Sequence, residues 1–203
     1  MKVALIGSTG NVGSRILTEL LRRGHEVTGI ARHKERVPVQ PHVTAKQGDA
    51  TDEESLSRLL PGHDALISAG RFISISPRAI ITAVKKAKVK RLLSVGGAGS
   101  LEVAPGKLLV EAPEFPVEHR SEALAGKDFL NMLREEQELD WTFLSPSALF
   151  VPGKRTGKFR IGTDKLLTGE DGKSWISMED FAIAMVDELE NPHHSRERFT
   201  VGY

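Results

Sequence analysis

The chain has 203 residues, enough for one α/β domain with a substantial core. Its 28 basic and 27 acidic residues nearly cancel, which gives no reason to expect a nucleic-acid partner, and the lack of cysteine excludes disulfides, thiolate catalysis and cysteine zinc sites. The first apolar run turns to glycine at once and no other approaches the ~20 residues of a membrane span, so a soluble cytoplasmic protein without a membrane partner is expected.

In chain order the pattern alternates. Lys2 to Ile6 reads as a buried strand, and Asn11 to Arg23 then carries Val12, Ile16, Leu17, Leu20 and Leu21 on one helical face. Gly24 stands where positive φ is wanted after a helix. Glu26 to Ala31 and Val43 to Gln47 follow as strands. Thr51-Asp52-Glu53-Glu54 reads as a capping box, with Thr51 as the cap, for a helix that Pro61-Gly62 ends. Ala65 to Ser68 is the fourth strand, Ser76-Pro77 opens a helix through Ala87, and Arg91 to Val95 is the fifth strand. A long proline-bearing loop leads to a helix over Glu118 to Glu138 and a strand over Trp141 to Leu144. After Pro152 the pieces become short and glycine-punctuated. Ser177 caps a last helix through Leu189, and Phe199 to Val201 closes as a strand. Strand–helix alternation predicts parallel strands with helices on both faces.

Between the first strand and helix lies Gly7-Ser8-Thr9-Gly10-Asn11-Val12-Gly13. Glycines at such a junction serve a tight turn, close approach of a phosphate, and close helix–strand packing, with helix N–H groups facing the pyrophosphate. The whole loop, Gly7 through Gly13, is therefore a candidate dinucleotide site, and the architecture expected is a Rossmann-type doubly wound parallel sheet. A single domain over 1–203 is expected, with 145–195 contributing a small substrate-side lobe.

The spacing Gly-x-x-Gly-x-x-Gly, Gly48-Asp49-Ala50-Thr51-Asp52, Ser94-Val95-Gly96-Gly97-Ala98-Gly99-Ser100-Leu101, Leu139-Asp140-Trp141-Thr142-Phe143-Leu144-Ser145-Pro146 and Arg198-Phe199-Thr200-Val201-Gly202-Tyr203 together resemble the extended and atypical short-chain dehydrogenase/reductase superfamily. Within it the chain is similar to the NmrA-like group and its bacterial NADH-flavin-reductase-like members. The resemblance implies that Asp49 and Ala50 border the adenine, unless Asp49 is only a turn residue, and that Ser68, Ala69 and Gly70 border the ribose and phosphates.

An NAD site places an acid about 20 residues past the glycines. Here the second strand ends Ile30-Ala31-Arg32-His33-Lys34, and Arg32, with Lys34, suits a 2′-phosphate, so NADPH is expected over NADH. The alternative is a solvated basic turn.

Many short-chain dehydrogenases use Ser with Tyr-x-x-x-Lys. The only tyrosine here is Tyr203, and Val117 to Ala123 supplies neither tyrosine nor lysine. Ser94 is either set against the nicotinamide or satisfied by backbone; His119 is either a proton donor or a surface residue in the first turn of a helix. His193-His194 is too isolated for a metal site. Ser145 and Pro146, Phe150 and the basic run Lys154 to Lys158 are candidates to line the ligand cleft, and Phe72 either stacks on a flat substrate or packs in the core. The expected function is NADPH-dependent reduction of a small-molecule hydride acceptor, a flavin or quinone. Its rivals are a non-catalytic dinucleotide sensor of NmrA type and a nucleotide-sugar epimerase or dehydratase.

Overall fold

The computed structural model describes residues 1–203. Its first half contains β1 (Lys2–Ile6), α1 (Asn11–Arg22), β2 (Glu26–Ala31), β3 (Val43–Gln47), α2 (Glu53–Leu59), β4 (Ala65–Ser68), α3 (Pro77–Lys86) and β5 (Arg91–Val95). The second half contains β6 (Glu102–Ala104), β7 (Lys107–Leu108), α4 (Val117–Glu135), β8 (Asp140–Ser145), β9 (Leu149–Val151), β10 (Arg160–Gly162), β11 (Trp175–Ser177), α5 (Met178–Glu190) and β12 (Glu197–Gly202). No helix is long and apolar enough to cross a membrane.

The main sheet runs β10-β12-β8-β5-β4-β1-β2-β3. Every neighbouring pair is parallel except β10 with β12. The order reverses beside β1, which has β2 on one side and β4 on the other. Parallel strands need both faces covered, and β1 shows how the sequence provides it. Val3 and Leu5 pack with Ile16, Leu17 and Leu20 of α1 and Phe181 and Met185 of α5. Ala4 and Ile6 face the opposite layer, with Leu56 of α2, Ile80 and Val84 of α3, and Phe129 and Leu133 of α4. This is the doubly wound Rossmann-type architecture anticipated from the alternation.

Several element ends shift by a residue or more from the sequence expectation, and three departures stand out. The cap of α2 is Asp52, which accepts from Glu54 N at 2.9 Å and Ser55 N at 3.2 Å; Thr51 instead turns its hydroxyl back to Asp49 at 2.8 Å. Helix α4 stops at Glu135 rather than Glu138, because the Glu136 carboxylate accepts from Glu138 N at 2.7 Å and Leu139 N at 3.3 Å and turns the chain. The long loop after β5 is not featureless: it holds the β6–β7 hairpin, turned at Gly106 with φ 71°. Ser76 and Ser177 cap α3 and α5 as expected.

The segment 145–195 is distributed. Strands β9 and β11 pair as a separate parallel ribbon, β10 extends the main sheet, and α5 lies against α1. An ion network ties this segment to α1. Buried Glu19 accepts from Arg155 Nε and Nη2, both at 2.8 Å, and from Arg23 Nε at 2.8 Å. The Arg155 hydrogen bonds lead and, with those of Arg23, outweigh burial, holding the Glu19 carboxyl at about 2.

A carboxyl held that far below 4.5 stabilises the fold by about 3 kcal/mol at neutral pH. The contribution is complete above pH 4.5 and is lost as pH falls toward about 2. Glu19→Gln imitates the protonated acid, so urea unfolding should show it roughly 3 kcal/mol less stable at pH 7, with the gap closing progressively below pH 4.5. A pH-independent gap would show that the loss is one of packing.

Candidate dinucleotide site and acceptor cleft

The three glycines of the loop do three different things. Gly7 has φ 80°, and a Cβ there would lie 2.6 Å from Ala69 O. A Cβ on Gly13 would lie 2.0 Å from Gly7 O, so α1 crosses the end of β1 only because neither residue has a side chain. Gly10, at φ −80°, needs no unusual backbone, and only Gly7 O, at 3.3 Å, lies near its missing Cβ. It stands at the start of α1, which has no side-chain cap and no acid in its first turn. The first N–H groups of a helix have no partner within it, and the helix dipole favours an anion beside them. An uncapped start behind a side-chain-free Gly10 is the arrangement a pyrophosphate requires, so the residues fit the dinucleotide that the sequence implies.

Two adjoining cavities follow the carboxyl ends of the strands from β3 to β8. The first, about 200 Å³, is lined by Gly7, Thr9, Arg32, Asp49, Ala50 and Arg71, among others. Asp49 is both a lining residue and a turn residue: the Thr51 backbone N–H, then its hydroxyl, hold its carboxyl below the usual range, with Arg32 adding to the effect. The second cavity, about 820 Å³, shares Gly70 and Arg71 with the first. Val12, Ala69, Gly96, Gly97 and Pro146, together with Leu109, Phe115, Pro116, Leu149 and Phe150, line it. That volume falls within the ~300–1,000 Å³ usual for small-molecule pockets.

Several expected site residues lie elsewhere. Ser8 is fully buried with its hydroxyl unpaired, turned inward against Gly29 of β2, so only its backbone belongs to the loop. Ser68 is buried and lines neither cavity. Ser94 is buried and donates to Val95 O at 3.3 Å, the backbone-satisfied alternative. Ser145 is buried, accepting from Arg198 Nη1 at 3.5 Å, while Pro146 reaches the cleft. Lys34 and Asn11 are exposed and line neither cavity, leaving Arg32 as the cation at the tip of β2. The basic run Lys154 to Lys158 does not line the cleft. Arg155 is taken by Glu19, and buried Asp180 accepts from Thr156 N at 2.6 Å and Gly157 N at 2.9 Å. His194 sits on Glu188 at 2.8 Å.

His119 does face the cleft, although it is exposed. Phe72 packs in the core, one of the two alternatives foreseen for it. It joins Phe129 and Phe143 in an aromatic cluster with centroids 6.2–6.3 Å apart, and it also lines the cleft. Glu122 of α4 fixes the loop after β4: its carboxylate accepts from Phe72 N at 2.6 Å and Ile73 N at 3.3 Å. Arg71, Glu114, Phe115 and Glu122 were not anticipated. Glu122 and the backbone it holds are about 50 residues apart, a pairing that periodicity does not reveal. The run Gly96-Gly97-Ala98-Gly99, directly after a strand, was the signal available for that wall.

A parallel sheet whose order reverses beside a glycine loop, with a crevice at the strands' carboxyl ends, defines a Rossmann-type dinucleotide-binding protein. The chain belongs to the NAD(P)H-binding family whose model matches residues 7–192. It is 40% identical to YwnB, an uncharacterised Bacillus subtilis protein, over 99% of this chain and 98% of that one. A solved Bacteroides thetaiotaomicron structure, described as a proposed epimerase, is 44% identical with a TM-score of 0.94, covering 100% of this chain and 96% of that one. A Streptococcus pneumoniae structure, described as a proposed NADH-flavin reductase, is 35% identical with a TM-score of 0.78, covering 100% and 99%. The resemblance to the short-chain dehydrogenase/reductase superfamily and its flavin-reductase-like members is met.

The glycine geometry separates binding from folding. Gly10→Val should abolish dinucleotide binding, measured by calorimetry, while leaving the circular dichroism and melting of the fold nearly intact. Gly13→Ala should instead lower the melting temperature as well, since its methyl group would meet Gly7 O. Retained affinity in a folded Gly10→Val protein would make the loop a turn without a ligand.

Proposed function

We propose that the protein is an NADPH-dependent reductase of a flat hydride acceptor of the flavin or quinone type. The observation that carries this reading is the large aromatic-walled cleft that continues directly from the smaller cavity, the adenosine end in this reading, at Gly70 and Arg71. Phe72, Phe115 and Phe150 line the cleft and give it an apolar, aromatic wall suited to a planar ring. Arg32 at the tip of β2, with no acid in its place, supports NADPH over NADH.

NADPH, when bound, supplies a hydride, and water supplies the proton that completes a two-electron reduction. The protein's part is orientation. The loop Gly7 to Gly13 holds the pyrophosphate, Arg32 holds the 2′-phosphate, and the cleft walls hold the acceptor and exclude water. No tyrosine and no lysine line the cleft, which argues against ketone reduction, where an alkoxide must be protonated in place. A flavin or quinone spreads the incoming charge over conjugated carbonyls and asks less of a protein acid. The same absence disfavours an epimerase, the activity proposed for one relative. It also favours the second reading, a dinucleotide sensor without turnover.

NADPH should bind about tenfold to a hundredfold more tightly than NADH, the scale of one charge-assisted bidentate contact. Arg32→Ala should remove that preference and leave NADH affinity nearly unchanged; equal affinities in the unmodified protein would refute the cofactor assignment. The purified protein should oxidise NADPH with a flavin or quinone present and be nearly inert toward simple ketones. His119→Ala should be almost silent, whereas loss of about 10²-fold in turnover would identify His119 as the proton donor. Saturable NADPH binding with no turnover of any acceptor would favour the sensor.

A further inference from the structure

Charge divides the crevice into two unlike parts. The adenosine cavity is lined by Arg32 and Arg71 and a single acid, Asp49. The carboxylates that line the larger cleft are Glu114 and Glu122, the latter near the junction at Arg71, with His119 also lining it and no lysine. Arg71 is the one arginine that lines the cleft, and it stands where the two cavities join, its Nε 3.9 Å from Glu122. Arg120, the next arginine along α4, packs over the Phe115 ring at 5.9 Å from its centroid and is not a lining residue. The remaining walls are apolar or backbone. An anionic tail leaving this cleft would therefore pass carboxylates, and the one lining arginine has Glu122 beside it, 3.9 Å from its Nε.

We propose that the cleft selects planar acceptors that carry no anionic group: riboflavin ahead of FMN or FAD, and an uncharged quinone ahead of a sulfonated one. This rests on the reductase reading above and adds to it a chemical class of substrate. The physical basis is like-charge repulsion of a phosphate or sulfonate by Glu114 and Glu122 beside an apolar wall, where water screens less than in bulk. Glu122 is tied to the loop by two backbone N–H groups, and so Glu114, which makes no ion pair, is the free charge at the rim. The arrangement also orients the cofactor, since its phosphates are drawn to the arginine-lined end and kept from the acceptor end.

The test is steady-state NADPH oxidation with two matched pairs, riboflavin against FMN and naphthoquinone against its sulfonate, at low and high salt. The uncharged member of each pair should show kcat/KM about threefold to tenfold higher, the scale of a few partly screened charge contacts, and the ratio should shrink as salt rises. Glu114→Gln should narrow the FMN–riboflavin gap by raising kcat/KM for FMN. FMN turned over as well as riboflavin, or better, would overturn the selection and leave the reductase reading standing. If no acceptor is turned over, the reductase reading falls, and binding to the NADP⁺-loaded protein, read by quenching of flavin fluorescence, decides the inference. Riboflavin held more tightly than FMN would uphold charge selection; equal binding, or none, would overturn it.

Discussion

Helix α1 can begin where β1 ends only because residues 7 and 13 have no side chains. The missing Cβ of Gly13 would lie 2.0 Å from Gly7 O, and that of Gly7 would lie 2.6 Å from Ala69 O. Three backbone segments are thereby drawn together: the end of β1, the first turn of α1 and the exit of β4. The crevice follows from this closeness. Gly7 and Thr9 line the smaller cavity and Val12 the larger, on either side of the helix start, and the loop after β4, carrying Gly70 and Arg71, is shared by both. Backbone meeting backbone leaves little room for adjustment, so the geometry is set by the fold before any ligand arrives.

The acceptor wall is held by a different kind of contact. On the far side of α1, Arg15 reaches Glu179 at 3.1 Å, and the same carboxylate accepts from Gly153 N at 2.7 Å. Glu19 takes Arg155, and Asp180 takes Thr156 and Gly157. The chain just after β9 is therefore tied to the cofactor helix and to α5 by buried or half-buried carboxylates. Removing one partner from such a set leaves a charge stranded, which makes the network costly to break. Glu122 works in the same way on the opposite wall, holding the backbone of Phe72 and Ile73 from α4.

These carboxylates explain why the charged residues of this protein divide between structure and site. Of the basic run 154–158, Arg155 is spent on Glu19, while Arg32 and Arg71 line the crevice. The acceptor end keeps aromatic faces, small residues and a carboxylate rim. A cleft of that character suits the flat, hydride-accepting molecule proposed above, and would leave the difficult chemistry to the cofactor.

The strands from β1 to β5 were legible residue by residue: β1, β2, β4 and β5 because buried parallel strands are largely apolar runs ended by glycine or polar turns, while β3 is the exposed edge strand Val43 to Gln47 before Gly48. The caps Ser76 and Ser177 were legible for the same local reason, and the glycine loop announced its duties by its place between a strand and a helix. The cap at Asp52 rather than Thr51 was not, since Thr51 had a competing partner in Asp49. The sequence also showed a lone Arg32 and no acid at the tip of β2, and it showed that no tyrosine could head a Tyr-x-x-x-Lys motif. It did not show which hydroxyls face the crevice: Ser8, Ser68, Ser94 and Ser145 all sit at strand ends, and tertiary packing buries all four. Nor did it show that Arg155 belongs to Glu19, 136 residues away, or that Glu122 fixes the loop beyond β4. Periodicity and capping act over one or two turns of chain and can be read there. Which side chain meets which across the sheet depends on how the layers stack, and only the folded structure decides it.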